Sequence, residues 1–95
     1  MLPLLMLTTS AIAMSAIGEM FFGTSDDDTF EGTSGNDAYN GRGGDDILSG
    51  GLGDDHLIGG AGDDPITGDA GNDLLSGWHG NDEINGGYGD DKIYG

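Results

Sequence analysis

The sequence predicts an all-β chain: a right-handed parallel solenoid whose coils hold 18 residues, with two short strands and two tight turns in each. Three observations lead there. Glycines and aspartates recur every nine residues from Gly23 to Tyr94 and keep register through eight consecutive blocks. Each block carries one large apolar residue within a three-residue run, which is too short for a helical turn to propagate. The rest of each block consists mainly of glycines and acids, which permit positive φ and sharp reversal.

In nines, the chain reads GTSDDDTFE from Gly23, GTSGNDAYN from Gly32, GRGGDDILS from Gly41 and GGLGDDHLI from Gly50. It continues with GGAGDDPIT from Gly59, GDAGNDLLS from Gly68, GWHGNDEIN from Gly77 and GGYGDDKIY from Gly86, and Gly95 opens one more block. The first place is always Gly, and the fourth is Gly in every block but the first, where Asp26 stands. The fifth is always Asp or Asn. The sixth is always Asp: Asp28, Asp37, Asp46, Asp55, Asp64, Asp73, Asp82 and Asp91. The eighth is always large and apolar: Phe30, Tyr39, Leu48, Leu57, Ile66, Leu75, Ile84 and Ile93.

Places seven to nine alternate outward, inward and outward, because strand side chains have a period of two. Strands this short gain partners by coiling, each pairing in parallel with the strand two blocks away. Phe30, Leu48, Ile66 and Ile84 then stack in one sheet, and Tyr39, Leu57, Leu75 and Ile93 in the other. The coil is expected to be right-handed, as nearly all parallel crossovers are. Pro65, at a seventh place, lacks a backbone donor, so its strand should pair less well than its neighbours.

Composition sets further bounds. Ninety-five residues make one domain, and with no cysteine a disulfide is not what stabilises it. Eighteen acids stand against only Arg42 and Lys92, a formal charge of -16. Nucleic acid, whose phosphates need basic partners, is excluded, and the acids call for cations. With 21 glycines and so much charge, the composition alone is that of a chain disordered in plain water. The strict nine-residue period makes that disorder conditional.

Residues 1–22 form a separate apolar N-terminal segment. Met1 to Ile17 has no charged side chain, is broken by Pro3 and by Thr8, Thr9 and Ser10, and is followed by Glu19. It lacks the Lys or Arg of a secretory n-region and is short of the roughly 20 residues of a membrane span, although Ala11 and Ala13 form an A-x-A-like pair. An export signal, a segment associated with the membrane or cell surface, an apolar cap that is helical from about Leu4, and a fragment boundary or miscalled start all fit these residues.

From Gly23 onward the blocks resemble the glycine-rich nonapeptide of repeats-in-toxin (RTX) proteins, the hemolysin-type calcium-binding repeat, with its signature G-G-x-G-x-D-x-U-x. The blocks at Gly50, Gly59 and Gly86 match every specified place. The others depart mainly at place two, where Thr24, Thr33, Arg42, Asp69 and Trp78 replace Gly. The resemblance implies that residues 23–95 are a parallel β-roll holding calcium between successive turns, in a secreted, extracellular protein exported by a type I secretion apparatus.

The chemistry of the blocks agrees with that implication. Stacked coils bring each sixth-place Asp beside its equivalent two blocks on, and like charges so close repel strongly without a cation. Calcium takes 6 to 8 oxygen ligands in a flexible shell, which carboxylates and turn carbonyls supply, whereas zinc or copper would want His or Cys. The expected pairs are Asp28 with Asp46, Asp46 with Asp64 and Asp64 with Asp82 along one side. Along the other they are Asp37 with Asp55, Asp55 with Asp73 and Asp73 with Asp91. Six ions are the maximum, and the Asp28 site is the one that departs from the pattern, because Asp26 replaces the fourth-place glycine there.

His56 and His79 read as surface residues, and Trp78, Tyr88 and Tyr94 fall at different places of the repeat and make no single sugar-binding stripe. No nucleophile, base and orienting group converge. The expected function is non-enzymatic calcium binding by a module that folds on the ion outside the cell. The alternative is the repeat tail of a larger secreted enzyme or toxin of protease, lipase or hemolysin type, an alternative that the abrupt end at Gly95 favours.

Overall fold

The computed structural model describes residues 11–13 and 20–95, and it is built of strands and turns throughout them. Ten short strands form two parallel five-stranded sheets. One runs β1 (Ala11–Ala13), β3 (Thr29–Glu31), β5 (Ile47–Ser49), β7 (Pro65–Thr67), β9 (Glu83–Asn85). The other runs β2 (Met20–Phe22), β4 (Ala38–Asn40), β6 (His56–Gly60), β8 (Leu74–Trp78), β10 (Lys92–Tyr94). Strands alternate between the sheets along the chain, so the fold is a parallel β-solenoid in which partners lie 18 residues apart.

Phe30 pairs with Leu48, Leu48 with Ile66 and Ile66 with Ile84; Tyr39 pairs with Leu57, Leu57 with Leu75 and Leu75 with Ile93. This is the register expected from the nine-residue period. The apolar residues of β3 to β8 point between the sheets, where Phe30 and Tyr39 stack face to face, 4.3 Å between ring centroids and 11° from parallel. Phe30, Tyr39, Leu48, Leu57, Ile66 and Leu75 are fully buried. Ile84 is only partly buried and Ile93 is half-exposed, because β9 and β10 are the edge strands of their sheets.

The N-terminal segment departs from its expected helix where it is described. Ala11–Ala13 is a strand paired with β3, Ile12 opposite Phe30, and Met20–Phe22 is a strand paired with β4, Phe21 opposite Tyr39. The 18-residue register thus continues upstream of the recognisable blocks. The physical reason is the exposed edge that β3 and β4 would otherwise present: its free amides and carbonyls favour an added strand over a helix, which would leave them unpaired. The remainder of the expected helix, and the export or membrane role of that segment, fall outside the described residues. No helix long and apolar enough to cross a membrane occurs among the described ones.

Pro65 acts as its chemistry requires. The amides of Ile47, His56, Leu74, Glu83 and Lys92, all at place seven, donate to the sixth-place carbonyl one coil earlier at 2.8–3.0 Å. Pro65 has no such proton, and the pairing of β5 with β7 shortens to Leu48–Ile66 and Ser49–Thr67.

At the fourth place, from Gly44 onward, the coils approach too closely for a side chain. At Gly62 φ is +113° and an added Cβ would collide with the Gly44 carbonyl of the coil before, whereas at Gly43 it would meet Ser25 at an ordinary 3.5 Å. Gly62→Ala should therefore cost about 1–3 kcal/mol through backbone strain and collision. Gly43→Ala should change stability by less than about 0.5 kcal/mol. Thermal unfolding in saturating calcium measures both, and equal losses would contradict the close stacking at the fourth place.

Candidate metal centre

The two acidic places of each block are neighbours in sequence and opposites in environment. The fifth-place residues, from Asp27 to Asp90, are all exposed. The sixth-place carboxyls turn inward. Asp28, Asp37, Asp46, Asp55, Asp64 and Asp73 are 0–6% exposed, and Asp82 and Asp91, on the edge coil, are partly exposed.

Each row is held by a ladder of its own. At place six, the amide of Asp28 donates to Oδ1 of Asp46, and those of Asp37, Asp46, Asp55, Asp64 and Asp73 likewise donate to the Asp one coil on, at 2.7–2.9 Å. At place five the direction reverses. The amides of Asp45, Asp54, Asp63, Asn72, Asn81 and Asp90 donate to Oδ1 of the residue one coil back, at 2.7–2.9 Å. This explains why Asn substitutes freely at place five: the ladder needs only a carbonyl-type oxygen, which Asn supplies without charge. The sequence showed the Asp/Asn equivalence but not the ladder behind it.

The members of every expected pair along the two sides are thus neighbours one coil apart, joined through backbone amides. What the ladder leaves over is Oδ2. In Asp46, Asp55, Asp64 and Asp73 this oxygen is buried and has no hydrogen-bond partner. It lies against the first-place glycine of its own block, so closely that a Cβ on Gly50 would sit 2.5 Å from Oδ2 of Asp55 and 2.9 Å from the carbonyl oxygen of Gly68. The same space, lined by a carboxylate and a carbonyl of the next coil, recurs at Gly41 with Asp46 and Gly59 and at Gly68 with Asp73 and Gly86. An unpartnered buried anionic oxygen costs several kcal/mol, far more than a satisfied one.

The donor set there, a bare carboxylate oxygen beside a carbonyl of the next coil, suits a hard cation served by oxygen. No three His or carboxylate side chains converge among the described residues, so further ligands would be carbonyls. Calcium accepts that donor set, and zinc does not. His56 is half-buried on a strand and His79 is exposed, and among the described residues neither joins carboxylates in a metal-binding cluster.

Tyr39 was legible in the sequence only as a core residue. Its ring fills the core, but its hydroxyl is buried without a partner and lies, like Oδ2 of Asp28, against Gly23. Burial, and then the charges of Asp28 and Asp46, keep the phenol protonated far above its usual range.

A family model for the RTX calcium-binding nonapeptide repeat matches in four copies, at residues 22–57, 40–75, 49–82 and 79–95. No curated protein and no solved structure matches the chain.

Burial, opposed by the ladder amide and reinforced by neighbouring carboxylates, pushes the carboxyls of Asp46 and Asp55 up to about 7 and that of Asp64 up to about 6, and Asp73 moves the same way. In the metal-free chain the folded state therefore binds protons that the unfolded state, with carboxyls near 3.8, releases. The stability they contribute is full below about pH 4 and is lost as pH rises through 6 to 7. In chelator, acidifying from pH 8 to 5 should raise the strand signal in far-ultraviolet circular dichroism. In calcium the same acidification should weaken apparent affinity, since protons compete for Oδ2.

Proposed function

Because the chain belongs to the RTX calcium-binding nonapeptide repeat family, we propose that residues 23–95 are a module that folds on binding calcium outside the cell and does no chemistry of its own. Repeats of this family bind calcium and serve as structure rather than as catalysts. The observation that carries the reading is the column of buried, unpartnered Oδ2 atoms on Asp46, Asp55, Asp64 and Asp73.

Those four carboxylates, with the carbonyls of first-place glycines such as Gly59, Gly68 and Gly86, would hold the ions; Asp82 and Asp91 extend the two rows on the edge coil. Calcium there supplies positive charge to a column that has none, since the only basic side chains are Arg42, whose guanidinium lies 4.5 Å over the Phe22 ring, and Lys92. The protein side of the process is a change of state. Without the ion, carboxylates one coil apart repel and lose their hydration on burial, and six fully buried apolar side chains do not offset the ordering of so many glycines.

The reading includes a compartment switch. Extracellular modules with such ligands bind calcium with dissociation constants on the order of 10⁻⁴ to 10⁻³ M. At millimolar calcium the sites fill and each adds roughly 0.4–1.4 kcal/mol by linkage. At submicromolar cytoplasmic levels they add almost nothing, and a chain with a charge of -16 stays expanded. An expanded chain can thread an export channel of the type I class and fold on arrival, which makes the module a secreted one.

Two measurements test this. A calcium titration followed by circular dichroism and Trp78 fluorescence should show a disordered spectrum in chelator at neutral pH and a cooperative transition with a Hill slope well above one, because each coil needs its neighbour. A half-point below about a micromolar, or a strand spectrum in chelator at neutral pH, would sink the switch. Asp64→Ala, which removes a fully buried unpartnered oxygen, should lower the number of bound ions more than Asp91→Ala on the exposed edge coil. Calorimetric titration reads that difference.

A further inference from the structure

We infer that the first two turns of the roll are metal-free caps, in which Thr24 and Thr33 occupy with their own amide and hydroxyl the place beside Asp28 and Asp37 that calcium takes beside Asp46, Asp55, Asp64 and Asp73. The inference rests on the calcium reading above and concerns which carboxylates take part in it.

Asp28 and Asp37 are buried like the other sixth-place acids, at 2% and 6% exposure, yet their Oδ2 atoms are partnered. The amide of Thr24 donates to Oδ2 of Asp28 at 2.7 Å, and its hydroxyl lies 3.1 and 3.2 Å from the two carboxylate oxygens. Thr33 repeats the arrangement on Asp37 with the same three distances. Each hydroxyl also accepts from a backbone amide, that of Asp26 for Thr24 at 3.0 Å and that of Gly35 for Thr33 at 3.1 Å. With its lone pair so used, the hydroxyl proton is turned to the carboxylate.

The backbone takes a different path to make this possible. From the third block onward, every second-place residue has positive φ, including the non-glycines Arg42, Asp69 and Trp78 at +68° to +71°, and every fourth-place glycine does too. In the first two blocks neither Thr24 and Thr33 nor Asp26 and Gly35 do. In the left-handed turns no second-place amide bonds to the Asp of its own block; in the threonine turns it does. A cation approaching Oδ2 of Asp28 or Asp37 would have to displace an N–H donor already at hydrogen-bond distance, and would gain a site that two neutral donors already satisfy.

Block two provides the sharpest test. Thr33→Gly converts GTSGNDAYN into GGSGNDAYN, a full match to the repeat, and removes the hydroxyl without touching a carboxylate. Equilibrium dialysis against calcium should then show one more bound ion per chain than in the unsubstituted protein. An unchanged number overturns the inference. As a second arm, Asp37→Asn should leave the number of ions unaltered, and Asp55→Asn should reduce it by at least one. Loss of an ion in Asp37→Asn also overturns the inference, and where that variant fails to fold the Thr33→Gly result decides. An unsubstituted chain that binds no calcium would instead sink the calcium reading itself, and this inference with it.

Discussion

Everything in this fold depends on the burial of a column of carboxylates. A solenoid repeats its side chains at the distance of one coil, so a single Asp at the sixth place becomes a row of like charges, and the same close stacking that satisfies the backbone strips those charges of water. Neither cost can be relieved by ion pairs, because the described chain has so little base to offer and Arg42 is engaged with Phe22. The ladder amides meet Oδ1 and, from Asp46 to Asp73, leave Oδ2 bare. A fold that creates a regular series of half-satisfied anions favours a counterion that accepts oxygen from carboxylate and carbonyl alike.

The glycine places follow from the same constraint. Coils close enough to pass amide hydrogen bonds from one sixth-place Asp to the next are too close for a Cβ at the first place, where the carboxylate and a carbonyl already converge. Spacing, glycine and acid are thus one requirement rather than three. Place two is the exception, since Arg42, Asp69 and Trp78 tolerate positive φ there. Two of them have local partners: the Asn40 side chain accepts from the Arg42 amide, and Asp69 accepts from the Ser49 hydroxyl.

Much of this was legible in the sequence because the period carries it. The pairing of Leu48 with Phe30 and Ile66, the inward turn of the eighth place from Phe30 to Leu75 and the weakened pairing at Pro65 all follow from counting nines. What was not legible lies where the period stops or where two residues share a composition. Ile12 and Phe21 do fall at the eighth place of the period, but the residues before them lack its first- and fourth-place glycines, so the pattern fades there and the unpaired edges of β3 and β4 account for the strands. Adjacent Asp45 and Asp46 look alike on paper, yet one is solvated and the other is buried. Thr24 and Thr33 were visible as departures from glycine, but their hydrogen bonds depend on a backbone path that the sequence does not spell out.

The two acid ladders also give the roll a head and a tail. Along the inner row, amides point forward to the coil that follows; along the outer row, they point back to the coil before. On the edge coil the amides of Asp82 and Asp91 therefore remain as free donors, while the side chains of Asn81 and Asp90 remain as free acceptors among the described residues. A further coil, or the leading coil of a second copy, can complete that pattern only if it arrives in the same orientation. A coil added head to tail continues both ladders, so growth of this architecture is vectorial.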